Sequence, residues 1–340
     1  MKKLITILAS YLLVNFTFAQ PNNETPYVVK KYPSSQIKSL DVNTSGGGIT
    51  IIGGNDAETR VEVYIKGNNG SINKQEIEER LNGYVLSYIQ IGSSLKVSAK
   101  NKNNNMNWRK GLSISFKIYS PKNIDTQLNT SGGGIQMSNL SGNLNFKTSG
   151  GGLSLTGLSG NVIGKTSGGG ISMADCNDMV DLATSGGGIT AKNSSGTIKL
   201  RTSGGGLDLE NLKGKINAST SGGGINVDHV SGELITSTSG GSIDLDDVSG
   251  NIKASTSGGG IRATVSSIDD YLTLSASAGN INVDIPMSKG MDLDIEGNKI
   301  SHVTLNNFNG EVDRDRIFGK LNGGGAKVRI HAGSGNVNLK

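Results

Sequence analysis

The residues best placed for chemistry are acidic side chains that recur within a repeated sequence. Glu210, Asp228 and Asp246 are each 18 residues apart, and Asp208 and Asp244 lie two residues before the first and last of them. If successive repeats form neighbouring strands, these carboxylates lie about 5 Å apart on one surface. Like charges at that distance destabilise a sheet unless something neutralises them. We therefore assign these five residues, here called the acidic rows, to a candidate ligand-binding face.

Several functions are compatible with the acidic rows. They can solubilise the surface, contact a carbohydrate or a cationic group, or hold Ca²⁺, which takes oxygen ligands. A calcium array along the whole repeat is not expected, because the corresponding position in the first four repeats carries no carboxylate: Gln136, Ser154, Ser172 and Thr190. We predict no metal site and no cofactor.

Two further groups of residues are candidates for binding. Trp108 and Arg109 lie together in a polar loop, where an exposed indole beside a cation suits a sugar face or a membrane interface. A plain hairpin loop, or a tryptophan packed on its own domain, is the alternative. Lys147, Lys165 and Arg201 recur at one repeat position and form a basic column that suits phosphate or acidic glycans, or simply a solvated edge.

No catalytic motif accompanies these candidates. The three histidines are scattered, and no phosphate-binding loop, nucleophile elbow or zinc spacing is present in the sequence. The alternative to a non-catalytic protein is a polysaccharide-active β-helix enzyme that uses carboxylates on adjacent coils. Asp208, Asp228, Asp244 and Asp246 are the residues available for that role.

The acidic rows belong to a repeat that occupies the middle of the chain. The tetrad Thr-Ser-Gly-Gly returns every 18 residues without insertion or deletion, and a separate copy begins at Thr44. With the threonine as position 0, positions 2 to 4 are glycine except at Ser242, and positions 5, 7, 10 and 14 are mostly aliphatic. The in-phase copies begin at Thr130, Thr148, Thr166, Thr184, Thr202, Thr220, Thr238 and Thr256.

Alternation of aliphatic and polar residues indicates strands with one buried face. A unit of 18 residues cannot bury that face alone, whereas stacked units share a continuous interior. We therefore predict an all-β fold, a parallel β-solenoid (β-helix) with 18-residue coils of strand, turn, strand and turn. Its glycines should supply positive φ at corners and avoid collision between coils. The threonines should form an inward column of mutually bonded hydroxyls, which disfavours an ice-binding surface of outward threonines.

The flanking segments depart from the period. Four strands are expected before the repeat, with one helix from Asn73 to Leu81 in which Asn73 is the cap and Glu76 completes a capping box. These elements form a small strand-rich N-terminal cap. We divide the chain into a signal peptide (1–19), the cap and first coil (20–129), the regular solenoid (130–273) and irregular C-terminal coils (274–340).

The first residues resemble a secretory signal. Lys2 and Lys3 precede an apolar run, small residues follow, and Gln20 is the expected mature start. The run is shorter than the roughly 20 residues of a membrane-spanning helix. We expect an exported protein, whether periplasmic, outer-surface or secreted, with no transmembrane segment after cleavage. Cys176, the single cysteine, occupies an aliphatic position and is expected to fill the core.

A family resemblance follows from these motifs. The resemblance rests on the TSGGGI repeats, the Leu-Ser-Gly-Asn turns, the triplet Ser120-Pro121-Lys122 before the array, and the Asn-Gly-Gly-Gly segment near the end. The chain resembles a bacterial adhesin-labelled family of Gly-rich β-solenoids, formally a domain of unknown function. The resemblance covers roughly residues 37–340 and concerns architecture. It implies a secreted, periplasmic or surface-exposed solenoid without catalytic residues.

The overall charge bears on the partners. A net charge of +5 without a basic stripe gives no indication of nucleic-acid binding. We expect a cell-wall or surface polysaccharide, or an envelope protein, as the partner.

Overall fold

The computed structural model describes residues 25–68, 70, 72–102, 111–302 and 304–340. The predicted signal peptide and the candidate site residues Trp108 and Arg109 lie outside these ranges. In the described part, 24 strands and one α-helix, α1 (Lys74–Leu81), follow the chain. The strands are β1 (Val28–Pro33), β2 (Ser39–Thr44), β3 (Ile49–Gly53), β4 (Glu58–Gly67), β5 (Tyr84–Ile91), β6 (Ser94–Asn101), β7 (Leu112–Ser120), β8 (Asp125–Thr130), β9 (Ile135–Thr148), β10 (Leu153–Thr166), β11 (Ile171–Ala174), β12 (Met179–Thr184), β13 (Ile189–Arg201), β14 (Leu207–Thr220), β15 (Ile225–Thr238), β16 (Ile243–Thr256), β17 (Ile261–Ala276), β18 (Ile281–Asp284), β19 (Met291–Glu296), β20 (Ile300–His302), β21 (Phe308–Val312), β22 (Arg316–Leu321), β23 (Ala326–Ala332) and β24 (Val337–Leu339).

Successive repeats stack in register as parallel strands. Ile171 lies beside Ile189, and Thr166 beside Thr184, on adjoining coils. The aliphatic side chains of all coils form one continuous buried core, in which Cys176 is fully buried. The predicted β-solenoid with coils of 18 residues is therefore confirmed.

The predicted coil of two strands and two turns is seen in the coil of β11 and β12, whereas in the coils of β9, β10 and β13 to β16 the two strands join into one strand that bends twice. Strand β14 pairs with β15 along its whole length except at Asn211. Asn211 has a left-handed φ of 53°, and Gly214, three residues later, has a φ of 118°. Residues that tolerate a positive φ occupy the first bend in every regular coil. They are Asn139, Gly157, Asp175, Asn193, Asn211, His229 and Asp247.

The threonine column faces inward, as predicted, but its hydroxyls do not bond one another. Thr202 Oγ1 donates to the carbonyl oxygen of Gly187 in the preceding coil at 2.7 Å and accepts from the Gly205 N–H at 3.3 Å. Neighbouring coils are about 4.8 Å apart, which is too far for a direct bond between equivalent hydroxyls. Threonine therefore ties each coil to the glycine corner beneath it. Positions 0 and 5 are both buried, so the repeated threonines of the described coils do not form the outward array that ice binding requires.

Stacking order and chain order differ at both ends of the solenoid. The coil formed by β2 and β3 lies between β6–β7 and β8–β9, although it precedes both in the chain. At the other end, the C-terminal strands β23 and β24 pair with β17 and β18 on one side and with β19 and β20 on the other. The coil formed by β23 and β24 therefore lies between the β17–β18 coil and the β19–β20 coil, although it follows both in the chain.

Antiparallel strands and the predicted helix extend the amino-terminal end. β5 pairs with β6, and β4 and β1 extend the opposite wall beyond β7. Helix α1 is capped by Asn73, whose side chain accepts from the Glu76 N–H at 2.9 Å. The Glu76 carboxylate pairs with Arg80 and does not complete the predicted capping box. Leu81 and Tyr88 pack against the end of the core.

Tyr88 provides a pH-dependent test of this end. Its hydroxyl is buried without a hydrogen-bond partner, and burial raises the pKa of Tyr88 to about 12. The unfolded chain releases this proton near pH 10, so the folded state loses stability as the pH rises from about 10 to 12. We expect Tyr88→Phe to flatten that decline and to raise stability at neutral pH, as measured by urea unfolding at pH 8 and pH 11. The exposed Tyr27→Phe is the control. Equal declines in wild type and Tyr88→Phe would contradict the assignment.

Candidate functional site

The structure brings the five residues of the acidic rows together on one surface. Asp208 lies beside Asn226, which lies beside Asp244, and Glu210, Asp228 and Asp246 form the parallel second row. All five side chains are exposed or half-buried, because they alternate with the buried Leu209, Val227 and Leu245. The strand register dictates this arrangement, since side chains two residues apart on one strand share a face.

Polar neighbours offset the repulsion within the acidic rows. Asn226 donates to Asp208 Oδ1 at 2.8 Å, Lys192 pairs with Glu210, and Arg262 lies 3.4 Å from Asp244 Oδ1. His229 at the first bend contacts Asp228. Asp246 is the one member without a hydrogen-bond or ion-pair partner among the described residues. The acidic rows are therefore flanked by a cation at each end, Lys192 on one side and Arg262 on the other.

A shallow groove follows the acidic rows across five coils, from β13 to β17. Lys192 lies at one end of its lining and Arg262 at the other. The groove offers carboxylate oxygens, which accept hydrogen bonds from hydroxyl or ammonium groups. In the ranges that the structure describes, no group of three or more histidine, cysteine, aspartate or glutamate side chains is arranged to hold a metal ion.

The basic column is only partly assembled. Lys147 and Lys165 lie side by side and line a groove that also includes Lys100. Arg201 is separated from them by the Ala183 coil and donates to Asp181 at 2.8 Å. The three column residues therefore do not act as one cationic patch.

Sequence reasoning missed a group of side chains at the C-terminal end. The strands β21 and β22 form an antiparallel hairpin on β19, and Phe318 on this hairpin is 50% exposed. The alternation in Arg-Ile-Phe-Gly-Lys-Leu (316–321) is the sequence signal that predicts such a strand.

These features define the class of protein: a parallel β-solenoid that presents rows of charged side chains on the outside of a continuous aliphatic core. No helix of the described residues is long and apolar enough to cross a bilayer. The model of the Toastrack DUF4097 family matches residues 229–340, which are the last regular coils and the C-terminal end. Over that range, the match confirms the resemblance noted from the sequence.

Two solved structures are similar to this chain at low sequence identity. A structure described as "a putative cell adhesion protein" from Clostridium sporogenes is 15% identical, with 93% of this chain and 99% of the other covered, at a TM-score of 0.19. A "putative adhesin" from Bacteroides fragilis is 12% identical, with 92% and 96% covered, at a TM-score of 0.21. No curated protein matches the sequence.

Proposed function

We propose that this chain is an exported, non-catalytic, adhesin-like solenoid of the cell envelope, and that its acidic rows contact a cell-wall or surface polysaccharide. The observation that carries the proposal is the placement of five carboxylates in register along one exposed groove. The buried aliphatic core holds these side chains at fixed intervals, which suits a polymer of repeating units. The carboxylates favour sugars that bring hydroxyl or amino groups.

The environment of the carboxylates supports binding rather than hydrolysis. Glycoside hydrolysis needs two carboxyl groups in different environments, one of them kept protonated. The members of the acidic rows are exposed or half-buried, and four of the five already have polar or charged neighbours. None of them is desolvated in the way that a general acid requires.

Retention on isolated bacterial cell walls tests the proposal. We expect the double variant Asp228→Asn/Asp246→Asn of the full chain to be retained at least about fivefold less than wild type, because it removes two adjacent negative charges and replaces one acceptor oxygen of each side chain with a donor. Raising the salt from about 0.05 to 0.5 M should weaken wild-type retention, since exposed charges are screened. Amino-terminal sequencing of the protein recovered from the cell envelope should begin at Gln20.

The control variant is Asp313→Asn/Asp315→Asn, which removes the same charge from exposed positions outside the groove. Equal retention of both double variants and wild type would contradict binding through the acidic rows. Release of reducing ends from the cell walls by wild type, but not by Asp228→Asn/Asp246→Asn, would favour the enzymatic alternative.

A further inference from the structure

The outer face of the C-terminal hairpin forms a second groove that the acidic rows do not reach. Phe318 on β22 lies between Asp294 on β19 and Glu311 on β21. On the other side of β19, Lys327 and Arg329 of β23 lie beside Asp292 and Asp294. All of these residues line one groove, together with Asn309 and Lys320.

Phe318 gives this groove an aromatic surface. Half of its side chain is exposed, although its strand neighbours Ile317 and Leu321 are buried. The Arg316 guanidinium lies 5.1 Å from the ring centroid and holds the ring in place from one side. An exposed aromatic ring offers an apolar surface to the C–H face of a sugar.

Carboxylate oxygens beside the ring lack hydrogen-bond donors. Asp292 Oδ1 and Asp294 Oδ1 are both shielded from solvent and accept no hydrogen bond. The Arg316 nitrogen nearest to Asp294 Oδ1 is at 3.9 Å, which is too long for a hydrogen bond. Because Oδ1 is shielded, a ligand meets each of these half-buried side chains through the part of the carboxylate that faces the groove. Neither carboxylate has a hydrogen-bond donor among the described residues, so donors brought by a ligand are favourable here.

The charges of the groove identify the class of ligand. Its lining carries three carboxylates, Asp292, Asp294 and Glu311, and three cations, Lys320, Lys327 and Arg329, so its formal charge is zero. A polyanion or a polycation finds as much repulsion as attraction there. A neutral ligand with many hydroxyl groups can use both the acceptors and the donors.

We propose that this groove binds a pyranose unit of a neutral saccharide. The ring of Phe318 stacks on the C–H face of the sugar, Asp292 and Asp294 accept from its hydroxyl groups, and Asn309 and Arg329 donate to them. The groove shares no residue with the acidic rows, and the proposal holds whether or not those rows bind a polymer.

Titration with neutral tetrasaccharides tests this site. The full chain is mixed with glucose, galactose, mannose and N-acetylglucosamine tetraoses, and binding is followed by saturation-transfer NMR. We expect at least one tetraose to bind with a Kd on the order of 1 mM, within the range of small polar ligands. Phe318→Leu should weaken binding at least about tenfold, Asp294→Asn about threefold, and Phe318→Tyr should retain it, because a stacked ring contributes more than one exposed hydrogen bond.

Two control variants separate this site from other effects. Val312→Ala removes an exposed apolar side chain from the neighbouring strand, outside the groove lining, and should leave the Kd unchanged. Asp228→Asn/Asp246→Asn should also leave it unchanged, even if that variant no longer binds cell walls. The proposal is overturned if no neutral tetraose binds, if Phe318→Leu binds as wild type does, or if a sulfated tetraose or spermidine binds more tightly than every neutral probe.

Discussion

Replacing Gly205 with alanine is expected to lower the free energy of unfolding by about 3 kcal/mol or more, the upper range for overpacking. A Cβ at this position would lie 2.3 Å from the carbonyl oxygen of Gly187 and 2.4 Å from the next backbone nitrogen. These are backbone atoms of the preceding coil, so no side-chain rotation relieves the clash. The coils would have to separate at this corner, and separation would break the bond that Thr202 donates to Gly187. Urea unfolding followed by circular dichroism measures the loss.

Gly206, one residue later, is the matched control. A Cβ there would lie 3.1 Å from Gly224 O, and Ser242 occupies the equivalent position in a later coil. We expect Gly206→Ser to cost less than about 1 kcal/mol, because a natural coil already accepts that side chain. Similar losses of unfolding free energy for Gly205→Ala and Gly206→Ser would show that the contact between the added Cβ and the Gly187 backbone is not what destabilises the Gly205→Ala variant.

The sequence predicted some features of the glycine corners and missed others. Exact periodicity predicted the stacking and the collision between corners, because both follow from the repeat length alone. The glycines were expected to supply positive φ at corners, but those at positions 2 to 4 of the regular coils do not adopt it. The left-handed glycines of these coils lie at the later bend, as at Gly214 and Gly232, and at Gly157 in the first bend. The first bend was missed, although its succession of asparagine, aspartate and glycine residues is a recognisable signal. Hydrophobic periodicity locates buried positions but does not show how the backbone turns between them.

The order of the coils at the two ends of the solenoid could not be predicted from the sequence, for a different reason. The coil at Thr44 and the strands β23 and β24 are inserted out of chain order, and only long-range pairing reveals this. For the same reason the groove at Phe318 was missed, since β19, β21 and β23 meet there from distant parts of the sequence. The acidic rows were predictable because their spacing equals the repeat. The sequence did not predict that Lys192 and Arg262 form ion pairs with the acidic rows, because such pairs depend on the conformations of long, flexible side chains on neighbouring coils.

Two threonines of strand β15 should respond in opposite ways to the same substitution. Thr238 Oγ1 donates to Gly223 O at 2.8 Å and accepts from Gly241 N at 3.2 Å. Thr238→Val keeps the shape and removes both bonds, so we expect a loss of about 1–3 kcal/mol. Thr236 is also buried, between Ala218 and Ala254, but its hydroxyl has no hydrogen-bond partner. Thr236→Val should therefore raise stability by about 1 kcal/mol, since it removes an unsatisfied polar group.

This pair separates the hydrogen bond from every other property of a buried threonine. Both residues lie on one strand, both are nearly inaccessible to solvent, and both exchange a hydroxyl for a methyl group. Hydrophobicity and β-propensity alone would make both variants more stable. Chemical unfolding of the two variants beside wild type measures the difference. If Thr238→Val is as stable as Thr236→Val, the threonine column contributes by packing only, and the link from each threonine to the preceding glycine corner does not hold the coils together.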